Sequence, residues 1–282
     1  MVSIIILSYN TKSLLRECLT AIFSTLRSFS FEVIVFDNAS KDDSVHMVKT
    51  EFPRVIVKTS DENLGFAKGI NLASCSAKGE YLLFLNSDAV LLDNKLKEMI
   101  VKLEVDKKIA VIGGNLLSDD NTTSAPYGSF YNLAEVFRLL FYGKKSRPAL
   151  KQDFSSVDWV SGGYMLIRNE VFVKSGGFDV GFFMYIEDME LCYRLKKDGY
   201  SVYYFMDARA RHVGQGSSNR TFAIVNIYRG LLFFYKKHKA RWQFFVVQLL
   251  LFTKAIVGIF GGIVTGNKYL RETYFQALKV VV

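Results

Sequence analysis

The first 113 residues alternate short apolar runs with amphipathic stretches. The apolar runs are five to seven residues long and rich in β-branched residues, which is typical of strands buried in a mostly parallel sheet. The predicted strands are Val2–Ser8, Phe31–Phe36, Arg54–Lys58, Tyr81–Leu85 and Ile109–Gly113, with helices near residues 11–27, 42–51, 65–76 and 93–105. This order predicts an α/β fold in which helices cover a central sheet.

The alternation is interrupted after residue 113. Residues 114–156 are rich in Ser, Asp, Asn and Gly, and predict a variable insertion that faces an acceptor. Regular structure is predicted to return with a segment at Val157–Arg168, helices near 169–175 and at 187–198, and a strand at 201–206. After it the sequence predicts a loop from Asp207 to Asn219, a helix from Thr221 to Lys239, an apolar helix at Trp242–Val264 and an amphipathic segment from Lys268. We therefore expect a first domain at 1–219 and a helical region at 220–282.

Positive charge is concentrated at the end of the chain. Of 36 Lys and Arg and 27 Asp and Glu in all, residues 207–282 hold twelve basic and two acidic residues, a net charge of +10. Residues 1–206 hold the other 24 basic and 25 acidic residues and are nearly neutral. Because long apolar runs separate the basic residues, the pattern favours an anionic membrane surface, and not nucleic acid, as the partner.

The apolar segment Trp242–Val264 is long enough to span a bilayer, but Lys254 lies at its centre. A central Lys costs about 2.5–3.5 kcal/mol on insertion scales, and the neighbouring apolar side chains offset this only partly. The sequence therefore favours a helix that lies in the plane of the membrane surface. A single transmembrane helix at 242–264 is the alternative.

The cysteines bear on the cellular compartment. Cys18, Cys75 and Cys192 are far apart and form no CxxC pair, which argues against disulfides and zinc and indicates a reducing cytosol. The stretch Met1–Ser8 lacks a basic region and a cleavage site, so it predicts a strand and not a signal peptide. We expect a peripheral or monotopic protein at the cytoplasmic face of the cell membrane.

Polar residues follow the predicted strands, at the sheet edge where α/β proteins bind ligands. Asp37-Asn38-Ala39-Ser40 is suited to binding a nucleobase edge or a ribose hydroxyl, or else to capping the next helix. Asn63 and Gly65 start the third helix, where N–H groups face an anion, although Asn63 also fits a simple N-cap. Asn86-Ser87-Asp88 places Asp88 to hold a cation on a diphosphate, or merely in a turn.

Acidic residues follow an aromatic run at a later predicted helix start. Glu187 and Asp188 lie where the helix dipole keeps a carboxylate ionised, as a general base acting on a hydroxyl requires, although both fit simple dipole capping. Asp188 is the candidate base, whereas Glu190 and Arg194 have the spacing of a surface ion pair. His212 precedes a flexible loop and is a candidate metal ligand.

Taken in order, six segments resemble the family 2 glycosyltransferases, particularly their rhamnosyltransferase-like bacterial and archaeal branch. These segments are SIIILSYN, FDNAS, NLGFAKGIN, LNSD, GGFD…FFMYIEDMELCYRLKKDGY and HVGQGS. Each is weak alone, but their order over roughly residues 1–240 is specific. The resemblance implies the GT-A fold, with 1–219 as the catalytic domain and 220–282 as a membrane-associating region.

By that resemblance, the chain would move one sugar, with inversion, from a nucleoside-diphosphate sugar such as dTDP-rhamnose or a UDP-hexose to a glycan or polyprenyl-linked acceptor. Asp37 would bind the base or ribose of the donor. Asp88 and His212 would hold Mg²⁺ or Mn²⁺ on its diphosphate, and Asp188, with Glu187 beside it, would act as base. The other donor-side candidates are Ser8, Asn10, Asn38, Asn63, Gly65, Lys68, Asn86 and Ser87, and the acceptor-side candidates are Gly162, Gly163 and Phe183.

Two positions depart from the family pattern. Asn86 stands where the metal motif often has its first Asp, and Val180 follows GGFD where an acid is frequent.

The sequence has no Gln-x-x-Arg-Trp motif of processive synthases, which favours one sugar per encounter. A sugar-phosphate nucleotidyltransferase is disfavoured because Ser8-Tyr9-Asn10-Thr11 replaces its Gly-rich loop. A membrane-bound nucleotide-sugar-binding partner without catalysis is the second hypothesis.

Overall fold

A computed structural model of the chain describes residues 1–27, 29–118, 126–143, 148–150, 152–212 and 220–282. The described residues form two compact units. The first unit takes in residues 1–129, 148–180 and 188–212, and the second unit takes in residues 130–143, 181–187 and 220–282. The domain boundary at residue 219 stays a prediction.

The regular elements are numbered along the chain. The strands are β1 Val2–Ser8, β2 Phe31–Asp37, β3 Ile56–Thr59, β4 Tyr81–Leu85, β5 Ala89–Leu91, β6 Ile109–Leu117, β7 Tyr127–Gly128, β8 Phe154–Val157, β9 Trp159–Val160, β10 Tyr164–Arg168 and β11 Ser201–His212. The helices are α1 Lys12–Thr25, α2 Ser44–Glu51, α3 Gly65–Ser74, α4 Leu96–Val105, α5 Leu133–Tyr142, α6 Asn169–Lys174, α7 Glu187–Lys197, α8 Arg220–His238, α9 Arg241–Val264 and α10 Lys268–Val281. The second unit holds α5, α8, α9, α10 and the first residue of α7.

The first unit is built on a mixed, mostly parallel sheet. Among the described residues, nine strands join in the order β3-β2-β1-β4-β10-β6-β11-β5, with β8 paired to β11. Six of them, β1, β2, β3, β4, β6 and β11, point the same way, and β5, β8 and β10 oppose them. With helices flanking this sheet, the predicted fold class is confirmed.

Burial on both faces explains the continuous apolar runs of the central strands. All five residues of β4 are buried, and only Leu7 of β1 is partly exposed. Helix α1 turns Leu15, Leu19 and Ile22 towards the core at the three- and four-residue spacing of a helical stripe. The strands and helices predicted for residues 1–113 are all present, with some shifted ends.

The structure corrects two predicted irregular segments. The insertion at 114–156 contains α5, which begins after Asn132, whose side chain accepts a hydrogen bond from the Glu135 backbone N–H. Strand β11 continues to His212 through the first part of the predicted loop, because an irregularity between Phe205 and Arg209 resets its register and lets it pair with β5. Residues 213–219 of that loop lie outside the described residues.

The second unit packs its helices through small residues. A Cβ atom at Gly258 of α9 would lie 2.2 Å from the Tyr274 ring, and one at Gly262 would lie 2.7 Å from the Arg271 backbone, so these glycines let α9 and α10 approach closely. The Lys254 ammonium lies 5.7 Å from the ring centroid of Tyr274 and 5.7 Å from that of Phe141. This part of α9 is therefore covered by protein.

The opposite side of α9 carries large exposed apolar side chains on successive turns. We call this set the apolar face of α9: Trp242, Phe245, Leu249, Phe252, Ile256, Phe260 and Ile263, which are between 41 and 67% exposed. Among the described residues, α9 is the one helix long and apolar enough to cross a membrane by length and composition, with a mean hydropathy of 2.1.

The segment 181–187 contains two strained residues. Tyr185 and Ile186 have φ angles of 69° and 74°, a region that residues with bulky or β-branched side chains rarely adopt, at a cost of about 1–3 kcal/mol each. Gly230 of α8 packs against them, since a Cβ atom there would lie 2.8 Å from Ile186 Cγ1 and 3.0 Å from the Tyr185 carbonyl oxygen. Phe182 adds an edge-to-face contact with Phe233, at 4.8 Å between centroids. Helix α8 thus holds the conformation of this segment.

Candidate active site

Asp37 ends β2 with a buried carboxylate that is only half satisfied. Its Oδ1 accepts a hydrogen bond from the Ser40 N–H at 2.9 Å, whereas the buried Oδ2 has no hydrogen-bond donor among the described residues. The helix-capping interpretation does not hold, because α2 begins only at Ser44 and the Ser40 hydroxyl instead accepts from the Asn10 N–H at 2.8 Å. A buried acceptor without a donor costs free energy that a ligand N–H or O–H would recover.

Side-chain amides join the end of β2 to the start of α3. The Asn38 Nδ2 donates to Asn63 Oδ1 at 2.8 Å, and Asn38 Oδ1 accepts from the Leu64 N–H at 2.8 Å. Asn63 Oδ1 also accepts from the N–H of Gly65, whose φ is 78°. The N-cap residue of α3 is Leu64, which makes no side-chain cap hydrogen bond, so the N-cap interpretation of Asn63 is wrong. Asn63 instead closes a short turn ahead of the helix, and these N–H groups are engaged within the protein. Lys68, on α3, is exposed.

Three buried hydroxyl groups form a connected row at the carboxyl end of β1. Ser8 Oγ lies 3.2 Å from Thr11 Oγ1, and Thr11 Oγ1 donates to Ser87 Oγ at 3.1 Å. Ser8 also stands opposite Asp37 in the parallel pair of β1 and β2. Sequence reasoning missed Thr11, although it directly follows the SIIILSYN segment. Two of the predicted donor-side residues thus belong to a buried network that fixes the strand ends.

Asp88 and His212 come together beyond β4. His212 Nε2 lies 3.1 Å from Asp88 Oδ1 and 3.1 Å from Asn86 Nδ2. The Asp88 and His212 side chains are 12% and 21% exposed, so both are shielded yet reachable. Strand pairing explains why Asp88 and His212 are close, since β11 pairs with β5 so that His212 stands opposite Ala89, the residue after Asp88.

The described residues hold no cluster of three His, Cys, Asp or Glu side chains arranged for a metal ion. Asp88 and His212 nevertheless fit two places of a divalent ion whose other ligands are water and diphosphate. Neighbouring ligands at ~2.1 Å from an octahedral ion stand roughly 3 Å apart, close to the separation of these two atoms. Carboxylate oxygen and imidazole nitrogen both bind Mn²⁺ well. Asn86, which contacts His212, is uncharged and so leaves Asp88 as the carboxylate of this motif.

A turn of two glycines links this pair to Asp188. The Gly162 N–H donates to Asp188 Oδ2 at 3.2 Å, and the Asn86 N–H donates to the Gly163 carbonyl at 3.0 Å. A Cβ atom at Gly163 would lie 2.8 Å from Asn86 Nδ2, so only glycine fits without displacing that amide. Asp188, Gly162, Gly163 and Asn86 are thereby brought together within the first unit. Asp188 Oδ1 also accepts from the Met189 N–H at 2.8 Å.

The ion pair of Glu190 and Arg194 is present but not on the surface. Glu190 is fully buried, and Arg194 Nε donates to both of its oxygens at 2.9 and 3.0 Å. Arg194 also donates to the Gly177 carbonyl at 2.6 Å. The predicted surface pair is therefore wrong in its exposure, because its role is to fix α7 against the turn after α6.

The remaining two site candidates belong to the second unit. Glu187, the first residue of α7, is buried, and Phe183 is 37% exposed. Phe183 packs edge to face on Phe222 of α8, with the ring centroids 6.0 Å apart.

The fold is that of GT-A nucleotide-sugar transferases. Solved structures that share it include GalNAc-T7 with UDP, GalNAc and Mn²⁺, which has a TM-score of 0.64 and 16% identity and covers 82% of this chain and 48% of its own. They also include the mannosyltransferase PcManGT from Pyrobaculum calidifontis with GDP-Man and Mn²⁺, which has a TM-score of 0.58 and 17% identity and covers 99% of this chain and 85% of its own. Identities this low show the fold alone.

The chain belongs to glycosyl transferase family 2, since the family model matches residues 3–176. Its relatives include the rhamnosyltransferase WbbL of Escherichia coli K12, 31% identical over 56% of this chain, and the O-antigen chain rhamnosyltransferase WbaN of Salmonella anatum, 27% identical over 64%. The matched regions span 64% and 56% of the length of those two proteins. The predicted rhamnosyltransferase-like resemblance is confirmed.

Proposed function

We propose that the chain is an inverting glycosyltransferase that moves one sugar from a nucleoside-diphosphate sugar to a hydroxyl of a glycan or polyprenyl-linked acceptor. The observation that carries the proposal is the continuous contact from the Asp88–His212 pair through Asn86 and the glycine turn to Asp188. This contact supports a site in which the leaving diphosphate would lie next to a base. The names of WbbL and WbaN favour a rhamnose donor, for which we propose dTDP-rhamnose, with a UDP-hexose as the alternative, in cell-surface polysaccharide assembly.

The donor would lie across the carboxyl ends of β1, β2 and β4. Asp37 Oδ2 would accept a hydrogen bond from the base or ribose, which would satisfy the one carboxylate oxygen at this edge that lacks a donor among the described residues. Asp88 and His212 would hold Mg²⁺ or Mn²⁺ on the diphosphate. When bound, the ion supplies positive charge that stabilises the leaving group.

Asp188 would then act on the acceptor. Its carboxylate takes the proton of the acceptor hydroxyl as the oxygen attacks the anomeric carbon, and the bond to the diphosphate oxygen breaks with its electron pair. The N–H of Gly162, donating to Asp188 Oδ2, fixes the orientation of the base. Attack opposite the leaving group inverts the anomeric centre.

The membrane role rests on α9. The apolar face of α9 is larger than isolated surface hydrophobics explain, and Lys236, Lys237, Lys239 and Arg241 precede it. Because Lys254 contacts rings of α5 and α10, the helix is suited to lying in the plane of an anionic bilayer at the cytoplasmic face. An acceptor on a polyprenyl carrier would be reached there.

The deciding experiment measures hydrolysis and transfer with UDP-, dTDP- and GDP-sugars in Mn²⁺, comparing wild type with Asp188→Asn. We expect turnover of one donor, and a loss of about 10²–10⁴-fold in Asp188→Asn with nucleotide binding retained. Asp198→Asn, an exposed position just beyond the same helix, is the matched control. Donor binding without turnover in wild type, even with lipid-linked acceptors, would instead identify a non-catalytic nucleotide-sugar-binding partner.

A further inference from the structure

A cavity lies wholly within the second unit, between α8 and α10. Its volume is about 540 Å³, within the range of small-molecule sites. The side chains that line it and matter here are Phe222, Asn226, Arg229, Tyr269, Glu272 and Gln276. None of the roles described above uses this cavity.

The walls combine hydrogen-bonding groups with aromatic rings. Asn226 is 3% exposed, and its Nδ2 donates to the Phe222 carbonyl at 2.9 Å, while its Oδ1 accepts no hydrogen bond from any described residue. Gln276 and Arg229 are exposed at the rim, and Tyr269 is 50% exposed. The Thr273 hydroxyl, buried beside Asn226 in the lining, lies 2.6 Å from that of Thr221.

This composition matches the chemistry of a sugar ring. A pyranose offers several hydroxyl groups that both donate and accept, and it offers flat C–H surfaces that pack on aromatic rings. One Arg and one Glu give the lining no net charge, which disfavours a phosphate or diphosphate as the preferred ligand. A buried amide such as Asn226 discriminates between hydroxylated ligands because a buried amide that is left unmatched is costly.

The cavity adjoins the segment that leads to the candidate base. Phe222 lines the cavity and packs edge to face on Phe183, which stands five residues before Asp188 in the chain. Phe183 is the one acceptor-side residue predicted within the second unit. A ligand on Phe222 and Tyr269 would therefore contact the same helix that holds the 181–187 segment.

We propose that this cavity binds a sugar residue of the acceptor glycan other than the residue that carries the reacting hydroxyl. The inference rests on the proposed glycosyl transfer for its biological meaning, but the binding itself does not require turnover. The cavity would select acceptors by a sugar other than the one being extended.

The test is saturation-transfer NMR on the full chain with methyl α-L-rhamnoside, methyl β-D-galactoside and methyl N-acetyl-β-D-glucosaminide at about 10 mM, above the millimolar Kd of a weak complex. We expect transfer to at least one glycoside in wild type. Gln276→Leu and Tyr269→Ala should each weaken that binding at least about tenfold, or 1.4 kcal/mol. Gln243→Leu makes the first change, and Phe275→Ala removes an exposed aromatic ring, both outside the cavity, so these two variants should bind the glycoside as wild type does.

Several outcomes would overturn the proposal. These are the absence of transfer to every glycoside, equal binding in the cavity and control variants, or displacement of the glycoside by inorganic phosphate that depends on Arg229. Hydrolysis of the donor, measured on the same samples, separates the two ideas. Turnover without glycoside binding would remove only the cavity proposal, and cavity-dependent glycoside binding without turnover of any donor would remove only the proposed function.

Discussion

His212 Nε2 lies 3.1 Å from Asp88 Oδ1 although 124 positions separate the two residues in the chain. The contact exists because β11 lies between β6 and β5 in the sheet, and β5, a strand of three residues, starts immediately after Asp88. His212 thus ends one paired strand and Asp88 directly precedes the other, so little entropy is lost when a ligand engages them.

Asp88→Asn should remove most of the metal-dependent affinity for the donor nucleotide. The change keeps the shape of the side chain and removes its charge, so we expect the Kd for UDP or dTDP in Mn²⁺ to rise by at least about 10–100-fold. Titration calorimetry in Mn²⁺ and in EDTA provides the measurement. Asp61→Asn, an exposed change in the same unit, serves as control. Equal Mn²⁺-dependent affinity in both variants would remove Asp88 from the proposed site.

Gly163→Ala should disturb the same site without altering any charged group. The new methyl group would meet Asn86 Nδ2 at 2.8 Å and push the amide away from His212. We expect a destabilisation of about 1–3 kcal/mol together with weaker Mn²⁺-dependent nucleotide binding. Gly261→Ala, where a Cβ atom has its nearest neighbour at 3.9 Å, is the control. Unchanged binding in Gly163→Ala would show that Asn86 does not position His212.

The three thiols should differ sharply in reactivity. Burial raises the pKa of the Cys192 thiol to about 12, and burial together with the nearby Asp88 carboxylate moves the pKa of Cys18 well above its usual range. Cys75 is exposed. Since the thiolate is the reactive form, Ellman's reagent should titrate one thiol in the native protein and three after denaturation. Cys75→Ser should abolish the native reaction, and any remaining fast thiol would contradict the burial of the other two.

Binding to anionic vesicles should depend on the apolar face of α9. We expect wild type to sediment with phosphatidylglycerol vesicles at low salt, and less so as salt screens the basic residues. Leu249→Glu with Phe260→Glu should weaken binding by at least about tenfold. Val105→Glu with Val173→Glu, at exposed positions of the first unit, should not. A stable dimer in light scattering that the α9 variant dissociates would show instead that a second copy covers this face.

The sequence was sufficient for the fold because burial on both faces leaves a strong local signal. β4 and β1 could be predicted from their apolar runs, and the residues after them from the general position of ligand sites in α/β sheets. The segment Ala208-Arg209-Ala210-Arg211 also alternates with a period of two, but its polar half made it resemble a loop. The strand β5 is too short to show a period at all.

The contacts within the candidate site were harder to foresee. Resemblance supplied Asp88, His212 and Asp188 as separate positions, whereas their connection through Gly162 and Gly163 depends on tertiary packing. Thr11 was overlooked because a buried hydroxyl bridge leaves no periodic signal. The exposure of the Glu190–Arg194 pair was misjudged for a related reason, since helix spacing gives a pairing but not the side on which another segment lies.

The strained pair Tyr185–Ile186 has a practical consequence for anyone who trims the protein to improve its solubility. Cutting before α8 would remove the apolar face of α9, but it would also remove Gly230, against which this pair is packed. Released from that support, the two residues would relax towards ordinary φ angles and α7 would lose its defined starting point. We therefore expect a shortened protein to keep its sheet and every acidic residue of the first unit, and yet to lose transferase activity.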